Sequence, residues 1–341
     1  MYNAIFSKFS KKNILVIGDI ILDRYIQGSV SRISPEAPVP VVLENKSFYT
    51  PGGAANVALN LKGLGAHVTL VGRIGTDAEG KILKQQLTKK KLNTKGVFMD
   101  SRLPTIYKTR VIAQRQQVVR IDREEVQRPG KKDILEKLRR FIEKNIETYD
   151  AAIISDYGKG LITPELVGFV CGLFRAKKKI VTVDPKVEHF GYYQGVTAIT
   201  PNLKEAENAI RNIKITSRSP KTLDIHTDKL GNSRDINLAG TKLLNYLELD
   251  ALLITLGERG MRLFEKGKKP LAIKTVAREV YDVTGAGDAV ISAFTLSLAA
   301  GATKRQAAEI ANFAGGIVIG KMGAVAVTKS EILQVIKERH P

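Results

Sequence analysis

An aspartate, Asp288, stands directly behind a Gly285-Ala286-Gly287 loop and in front of an apolar run from Ala289 to Leu298. The loop follows the stretch Glu279-Val280-Tyr281-Asp282-Val283-Thr284. Small residues let backbone N–H groups come close to an anion, and the N-terminus of the helix predicted from Ala289 adds positive partial charge. A carboxylate is a poor neighbour for a phosphate unless it takes the proton from the hydroxyl that attacks phosphorus. An anion cradle beside a carboxylate base suits phosphoryl transfer to an alcohol. A plain helix cap accounts for Asp288 equally well, so the rest of the chain has to separate the two.

Other groups that bear chemistry fall just after predicted strands. Asp19 and Asp23 follow the first strand, and a carboxylate can accept from two vicinal sugar hydroxyls. Turn and cap chemistry is the competing reading for both. Gly52-Gly53 with Asn56 opens a run of small residues, permitting close approach to a ligand or simply a tight helix start. Asn202 and Glu205, three apart, share one face of a first helical turn. They suit either a water-bound Mg2+ near phosphate or a capping box. Lys159, Lys186, Arg110 and Arg120 are candidate anion binders, each also compatible with an ordinary surface cation. Thr255-Leu256-Gly257 and Gly260 end a strand in a way that suits nucleotide approach or a turn.

The elements that must position these residues read as follows. Lys12–Ile20 is a tight apolar run that suits a parallel strand buried on both faces. Val68–Ile74 is another strand and Asp77–Lys90 a helix. Further strands are predicted at Ala151–Ser155, Ile180–Asp184, Ala198–Thr200 and Leu252–Leu256, with helices between them. That alternation predicts an α/β fold with an open, mostly parallel sheet covered by helices. Leu22–Tyr49 and Thr105–Asp122 alternate in polarity and read as exposed antiparallel strands. Together they would form a small lid over the C-terminal edge of the sheet, where ligands bind in open α/β folds. Arg211–Arg234 reads as a weakly structured insertion or a helix-rich excursion.

At 341 residues with 43% hydrophobic content, a sizeable core is available. No apolar window reaches the ~18 residues of a membrane span. The basic, mixed stretch from Met1 to Asn13 does not read as a secretory signal. A single cysteine, Cys171, excludes an internal disulfide, and four scattered histidines argue against a His-ligated metal. A reducing, cytoplasmic setting fits. The net charge of +20 is spread along the chain, with no nucleic-acid-binding signature and no tryptophan. It reads as a solvated basic surface that also draws phosphorylated substrates. Gly18-Asp19 begins no Gly-x-Gly-x-x-Gly series, which excludes a dinucleotide-binding oxidoreductase of the usual pattern.

With these residues placed, the chain resembles the ribokinase-like (pfkB) carbohydrate kinases from about Asn13 onward. Gly52-Gly53-Ala54-Ala55-Asn56-Val57-Ala58 is similar to that family's first signature, and Asp282 to Asp288 to its second. The resemblance implies ATP as donor with Mg2+, Asp288 as base, and the amides of Gly285, Ala286 and Gly287 as anion hole. It implies Asn202, Glu205, Thr255, Gly257 and Asn312 on the nucleotide side, with Glu205 near Mg2+ through water. Asp282 and Thr284 match the position where some members hold a monovalent cation such as K+. Asp19, Asp23, Gly52, Gly53 and Asn56 are expected on the sugar, and Lys186, Arg110 and Lys159 on a sugar phosphate.

Ser31–Pro40, Ser155–Gly160 and Glu279–Asp288 further resemble the heptose-7-phosphate kinase subgroup. That implies phosphorylation of O1 of D-glycero-β-D-manno-heptose 7-phosphate to the 1,7-bisphosphate, towards ADP-heptose and the lipopolysaccharide core. Another sugar or nucleoside kinase of the family is the alternative. The His-x-Gly-His motif of a fused nucleotidyltransferase does not occur, so residues 1–341 are read as one kinase domain. Open lid edges predict a homodimer.

Overall fold

Ile14-Leu15-Val16-Ile17 are β-capable and uncharged, so the strand they form can be covered on both faces. In the computed structural model, which describes residues 2–114, 116–125, 132–216, 223, 225, 229–276, 283–321, 323 and 325–339, all four are fully buried. A short helix α1 (Asn3–Phe6) precedes this strand, β1 (Asn13–Gly18). A long hairpin of β2 (Ile20–Ile33) and β3 (Pro40–Gly53) follows, then α2 (Ala54–Gly63), β4 (His67–Gly75), α3 (Ala78–Lys89) and β5 (Asn93–Asp100). A second hairpin, β6 (Ile106–Ala113) with β7 (Gln116–Arg123), precedes α4 (Lys132–Asn145), β8 (Ala151–Ser155), α5 (Pro164–Ala176) and β9 (Ile180–Asp184). The chain continues through β10 (Ala198–Ile199), α6 (Leu203–Thr216), α7 (Ser233–Tyr246), β11 (Ala251–Thr255), β12 (Met261–Glu265) and β13 (Leu271–Ile273). It ends in α8 (Ala286–Ala299), α9 (Lys304–Val318) and α10 (Lys329–Arg339).

Among the described residues the main sheet has nine strands, ordered β13-β12-β11-β10-β9-β8-β1-β4-β5. Pairing is parallel from β5 to β11 and antiparallel only for β12 and β13. Alternation along each strand assigns the two faces. Ile14, Val16 and Ile153 pack with α2, α8 and α9, whereas Leu15, Ile17 and Ile154 pack with α4, α5, α6 and α7. Each such side chain removed from water contributes about 1.5–3 kcal/mol, and none of the central strands has a solvent face.

Among the described residues the lid is a four-stranded sheet, β3-β2-β6-β7. Its two hairpins are antiparallel, and a parallel β2–β6 contact joins them. The first hairpin leaves the main sheet where β1 ends and returns where α2 begins, with Ile20 paired to Gly53. The lid is therefore rooted at the C-terminal edge of the sheet.

The predicted strands lie within two residues of their expected ends; the first lid hairpin, Ile20–Gly53, runs longer than Leu22–Tyr49, and the second, Ile106–Arg123, is Thr105–Asp122 shifted by one residue. The helix read from Ala289 begins one turn earlier, at Ala286. The strand Asn93–Asp100 was not foreseen, because its edge position needs little apolar sequence. Of the Arg211–Arg234 stretch, α6 and α7 occupy the two ends and most of the middle lies outside the described residues. No helix among the described residues is long and apolar enough to cross a membrane.

Candidate active site

Gly285 adopts a left-handed φ of 80° and forms the N-cap of α8, with no side-chain cap bond. Asp288, in the first turn, is 4% exposed and turns away from its own helix. Its Oδ2 accepts from Asn56 Nδ2 at 2.6 Å and its Oδ1 from the Tyr157 hydroxyl at 2.9 Å. The cap reading fails, because this carboxylate is held by residues 232 and 131 positions away. Burial pushes its pKa up to about 6, against the lowering effect of the Asn56 and Tyr157 hydrogen bonds, and negative Asp23 adds to the rise.

Of the expected anion-hole amides, that of Ala286 is already bonded to Val283 O at 3.2 Å. The first intrahelical bond at this end of α8 runs from Ala289 N to Gly285 O, so the amides of Gly287 and Asp288 precede the helical ladder. Those two, with the helix dipole, make the electropositive end. Opposite lies Asp184 at the end of β9, its Oδ1 4.0 Å from where a Cβ on Gly287 would stand. Burial holds the Asp184 carboxyl well above the usual range, and the charges of Asp288, Glu205 and Asp156 push it the same way.

Asn56 reaches Asp288 because α2 starts against β1. Gly53, with φ of 58°, passes so close to Asp19 O that a Cβ would stand 2.4 Å from it, and Ala54 N donates to that oxygen at 3.0 Å. Asn56 is buried, and its Oδ1 has no hydrogen-bond partner among the described residues. Gly52 makes room for Asp23, whose Oδ2 lies 2.1 Å from the position a Cβ would take.

Several residues expected to meet substrate are engaged with the protein itself. Asp19 Oδ2 accepts the backbone N–H groups of Tyr157 and Lys159, both at 3.1 Å. Asp19 thus shapes the loop after β8; burial and the nearby Asp156 push its pKa up to about 6. Asp23 accepts from Arg110 Nη1 at 2.5 Å, and Arg110 lies over the Tyr25 ring. Lys159 Nζ donates to Glu124 at 2.6 Å, just beyond β7, and Arg120 pairs with Asp122 at 3.0 Å. Lys186 differs: it crosses Gly158, lies 3.6 Å from Glu188 and is 41% exposed, against 14% for Arg110 and 15% for Lys159. Lys186 is the most accessible of the three cations.

On the other side of Asp184, Asn202 and Glu205 form a reciprocal capping box: Asn202 N donates to Glu205 Oε2 at 2.8 Å and Glu205 N to Asn202 Oδ1 at 2.9 Å. Asn202 bridges to Thr255, which precedes Gly257 at φ of 60°. Asn312 donates to Lys274 O at 2.7 Å, so its amide ties α9 to the end of β13. Thr284 is described, but Asp282 lies outside the described residues.

Two neighbours were missed in the sequence. Tyr157 sits in the quoted Ser155–Gly160 stretch, from which only Lys159 was singled out, and Asp184 beside Lys186. Nothing in local spacing points to either, because their partners come from α8. A supporting cluster was missed as well: Asp156 accepts from the Tyr193 hydroxyl at 2.7 Å and Gly158 N at 2.8 Å, and His189 Nδ1 lies 2.8 Å away.

The donor set suits Mg2+, a hard cation that prefers oxygen. Asp184 and Glu205 supply carboxylates, and the buried hydroxyls of Ser155 and Thr200, at the ends of the strands β8 and β10 that flank β9, have no partner among the described residues. Among the described residues no group of three His, Cys, Asp or Glu side chains is arranged to hold a metal by itself.

Comparison with known proteins adds three findings. The family described as pfkB family carbohydrate kinase matches residues 11–331. The bifunctional protein HldE of Geotalea uraniireducens is 42% identical over 338 residues, covering 99% of this chain and 66% of the relative. HldE of Desulfatibacillum aliphaticivorans is 40% identical over 333 residues, covering 98% and 65%. The chain thus spans about two thirds of the length of these relatives. Among solved structures, Arabidopsis thaliana ribokinase complexed with ribose and ATP superposes with a TM-score of 0.72 at 19% identity, covering 96% of this chain and 98% of that one. Escherichia coli phosphofructokinase-2 in complex with potassium gives 0.74 at 17% identity, covering 97% and 99%. Both share the fold described above.

Proposed function

The chain belongs to the pfkB family of carbohydrate kinases, phosphotransferases to a sugar hydroxyl, and from that premise we propose that it transfers the γ-phosphoryl of ATP to O1 of D-glycero-β-D-manno-heptose 7-phosphate. The observation that carries the chemistry is Asp288: a buried carboxylate beside open helix-terminal amides, clamped by Asn56 and Tyr157. Asp288 accepts the O1 proton as the bond to phosphorus forms. An anomeric hydroxyl is more acidic than an ordinary alcohol, and a carboxylate with a pKa of about 6 is ionised at neutral pH. The amides of Gly287 and Asp288 face the charge that builds on the transferring group, and one such donor is typically worth about 100-fold or more in turnover. Glu205 and Asp184 would hold Mg2+, which would supply charge neutralisation on the phosphates. The lid closes over the sugar, excludes water and limits wasteful hydrolysis.

The acceptor is assigned from the three stretches that resemble heptose-7-phosphate kinases, and the identity to HldE proteins along almost the whole chain supports it. Lys186 is the cation assigned to the 7-phosphate. The pairing of Arg110 with Asp23 and of Lys159 with Glu124 favours a second reading, an acceptor without that phosphate. Monovalent cation at the Thr284 turn and homodimerisation through the outer lid strands belong to the same proposal.

The test is ATP turnover against heptose 7-phosphate, heptose, ribose, fructose 6-phosphate and no acceptor, with Asp288→Asn beside the unmodified protein and K+ compared with Na+. Turnover confined to the 7-phosphate and lost in the variant is expected. Turnover with another sugar overturns the acceptor and keeps the chemistry. Equal turnover by the variant removes Asp288 as base.

A further inference from the structure

Resting on the reading of Asp288 as proton acceptor, we infer that Tyr157 is a positioning residue for it: the Tyr157 hydroxyl fixes the rotation of the Asp288 carboxylate and keeps a lone pair aimed at the acceptor. A carboxylate torsion is broad and roughly two-fold, so one hydrogen bond leaves it free to swing. Here it is gripped at two points from two elements. Asn56, on α2, holds Oδ2 at 2.6 Å, and Tyr157, on the loop after β8, holds Oδ1 at 2.9 Å. Each oxygen keeps one lone pair for the acceptor hydroxyl.

The groups around Asp288 make the second grip necessary. Asp23 faces it from β2, paired with Arg110, and Asp184 lies at the end of β9. Both are acids and repel an ionised carboxylate. The donors are Asn56 and Tyr157. Tyr157 is a dependable donor, because burial and the charges of Asp288 and Asp184 keep its hydroxyl protonated.

The loop that carries Tyr157 is itself fixed before any ligand arrives. Tyr157 N and Lys159 N donate to Asp19, Gly158 N donates to Asp156 at 2.8 Å, and Arg73 Nη2 donates to Lys159 O at 3.3 Å. Donors held this way lose little freedom when the reaction starts, which is the requirement for preorganised catalysis. Glu124 takes Lys159 Nζ from the lid side, so the same loop touches lid, first strand and base.

Tyr157→Phe removes one oxygen and keeps the ring. At saturating ATP and the acceptor that is turned over, kcat should fall about 10- to 100-fold, the scale of a hydrogen bond lost from a charged group. KM for both substrates should stay within about threefold. In an Asp288→Asn background, whose residual rate is read at high enzyme concentration, the same substitution should change nothing further, because residues acting as a unit are not additive. A raised acceptor KM with unchanged kcat would mean that Tyr157 grips the sugar, and the inference fails. An equal loss in both backgrounds also overturns it. Asp288→Asn turning over like the unmodified protein instead sinks the base assignment on which the inference rests. Should the Phe variant unfold at assay temperature, Tyr157 is replaced by 3,5-difluorotyrosine, which keeps the contact and alters its strength. A kcat that does not move with that replacement overturns the inference.

Discussion

Asp288 combines burial with two hydrogen-bond donors, and the two influences oppose each other. Burial wins, raising the carboxyl from an ordinary 3.8 to about 6. Only the ionised form can accept a proton, so activity rises with pH through this pKa and levels above it. We expect log kcat/KM to climb with unit slope below about pH 6, a profile that reports the free enzyme. Asp288→Asn should abolish that limb; a limb that survives the substitution belongs to another group, such as the substrate phosphate, which also titrates near pH 6. At this scale the sequence points to residues one at a time and leaves their partners unnamed. Asn56 was expected on the sugar and is found donating to Asp288. Asp19 was expected on the sugar and is found shaping the Tyr157 loop. Side-chain partners over 130 positions away leave no mark on local spacing.

At the scale of elements, the site depends on how β1, β2, β3 and α2 meet. Gly52 and Gly53 allow the lid hairpin to return beside Asp19 and Asp23 with no side chain in the way. Gly52→Ala places a Cβ 2.1 Å from Asp23 Oδ2, so Asp23 must rotate and its 2.5 Å contact with Arg110 breaks. Urea unfolding should show a loss of about 1–3 kcal/mol, the usual cost of overpacking. Acceptor KM should rise about tenfold, with KM for ATP little changed because the nucleotide side lies beyond Asp184. An unchanged acceptor KM would show that Asp23 and Arg110 do not serve the sugar. The strands and helices behind this junction were legible because burial on two faces leaves an uninterrupted apolar run, as in Ile14–Ile17. The edge strands β5 and β13 were not, since edge strands can be built from mixed sequence.

For the whole molecule, the lid leaves β3 and β7 as outer strands, with Leu43, Val119 and Ile121 exposed by 64%, 46% and 58%. Open strand edges carrying apolar side chains favour pairing with a second copy. Light scattering should therefore return twice the chain mass, and Val119→Lys with Ile121→Lys should halve it. A monomer before substitution removes the dimer from the proposal.

Residue order alone determined the alternation of strands and helices, the position of the lid segments and the Gly-Ala-Gly-Asp turn, because periodicity and backbone permissiveness are properties of neighbours along the chain. The same local character made the Gly-Ala-Gly loop and the acid behind it readable before any fold was known. Tertiary structure decided which charges remain available: it pairs Arg110 with Asp23 and Lys159 with Glu124, and leaves Lys186 the more open. It also brought Tyr157 and Asn56 onto one carboxylate from separate elements. Hydrogen bonds and ion pairs act across a few ångströms of space whatever the separation along the chain, so only the folded arrangement could select them.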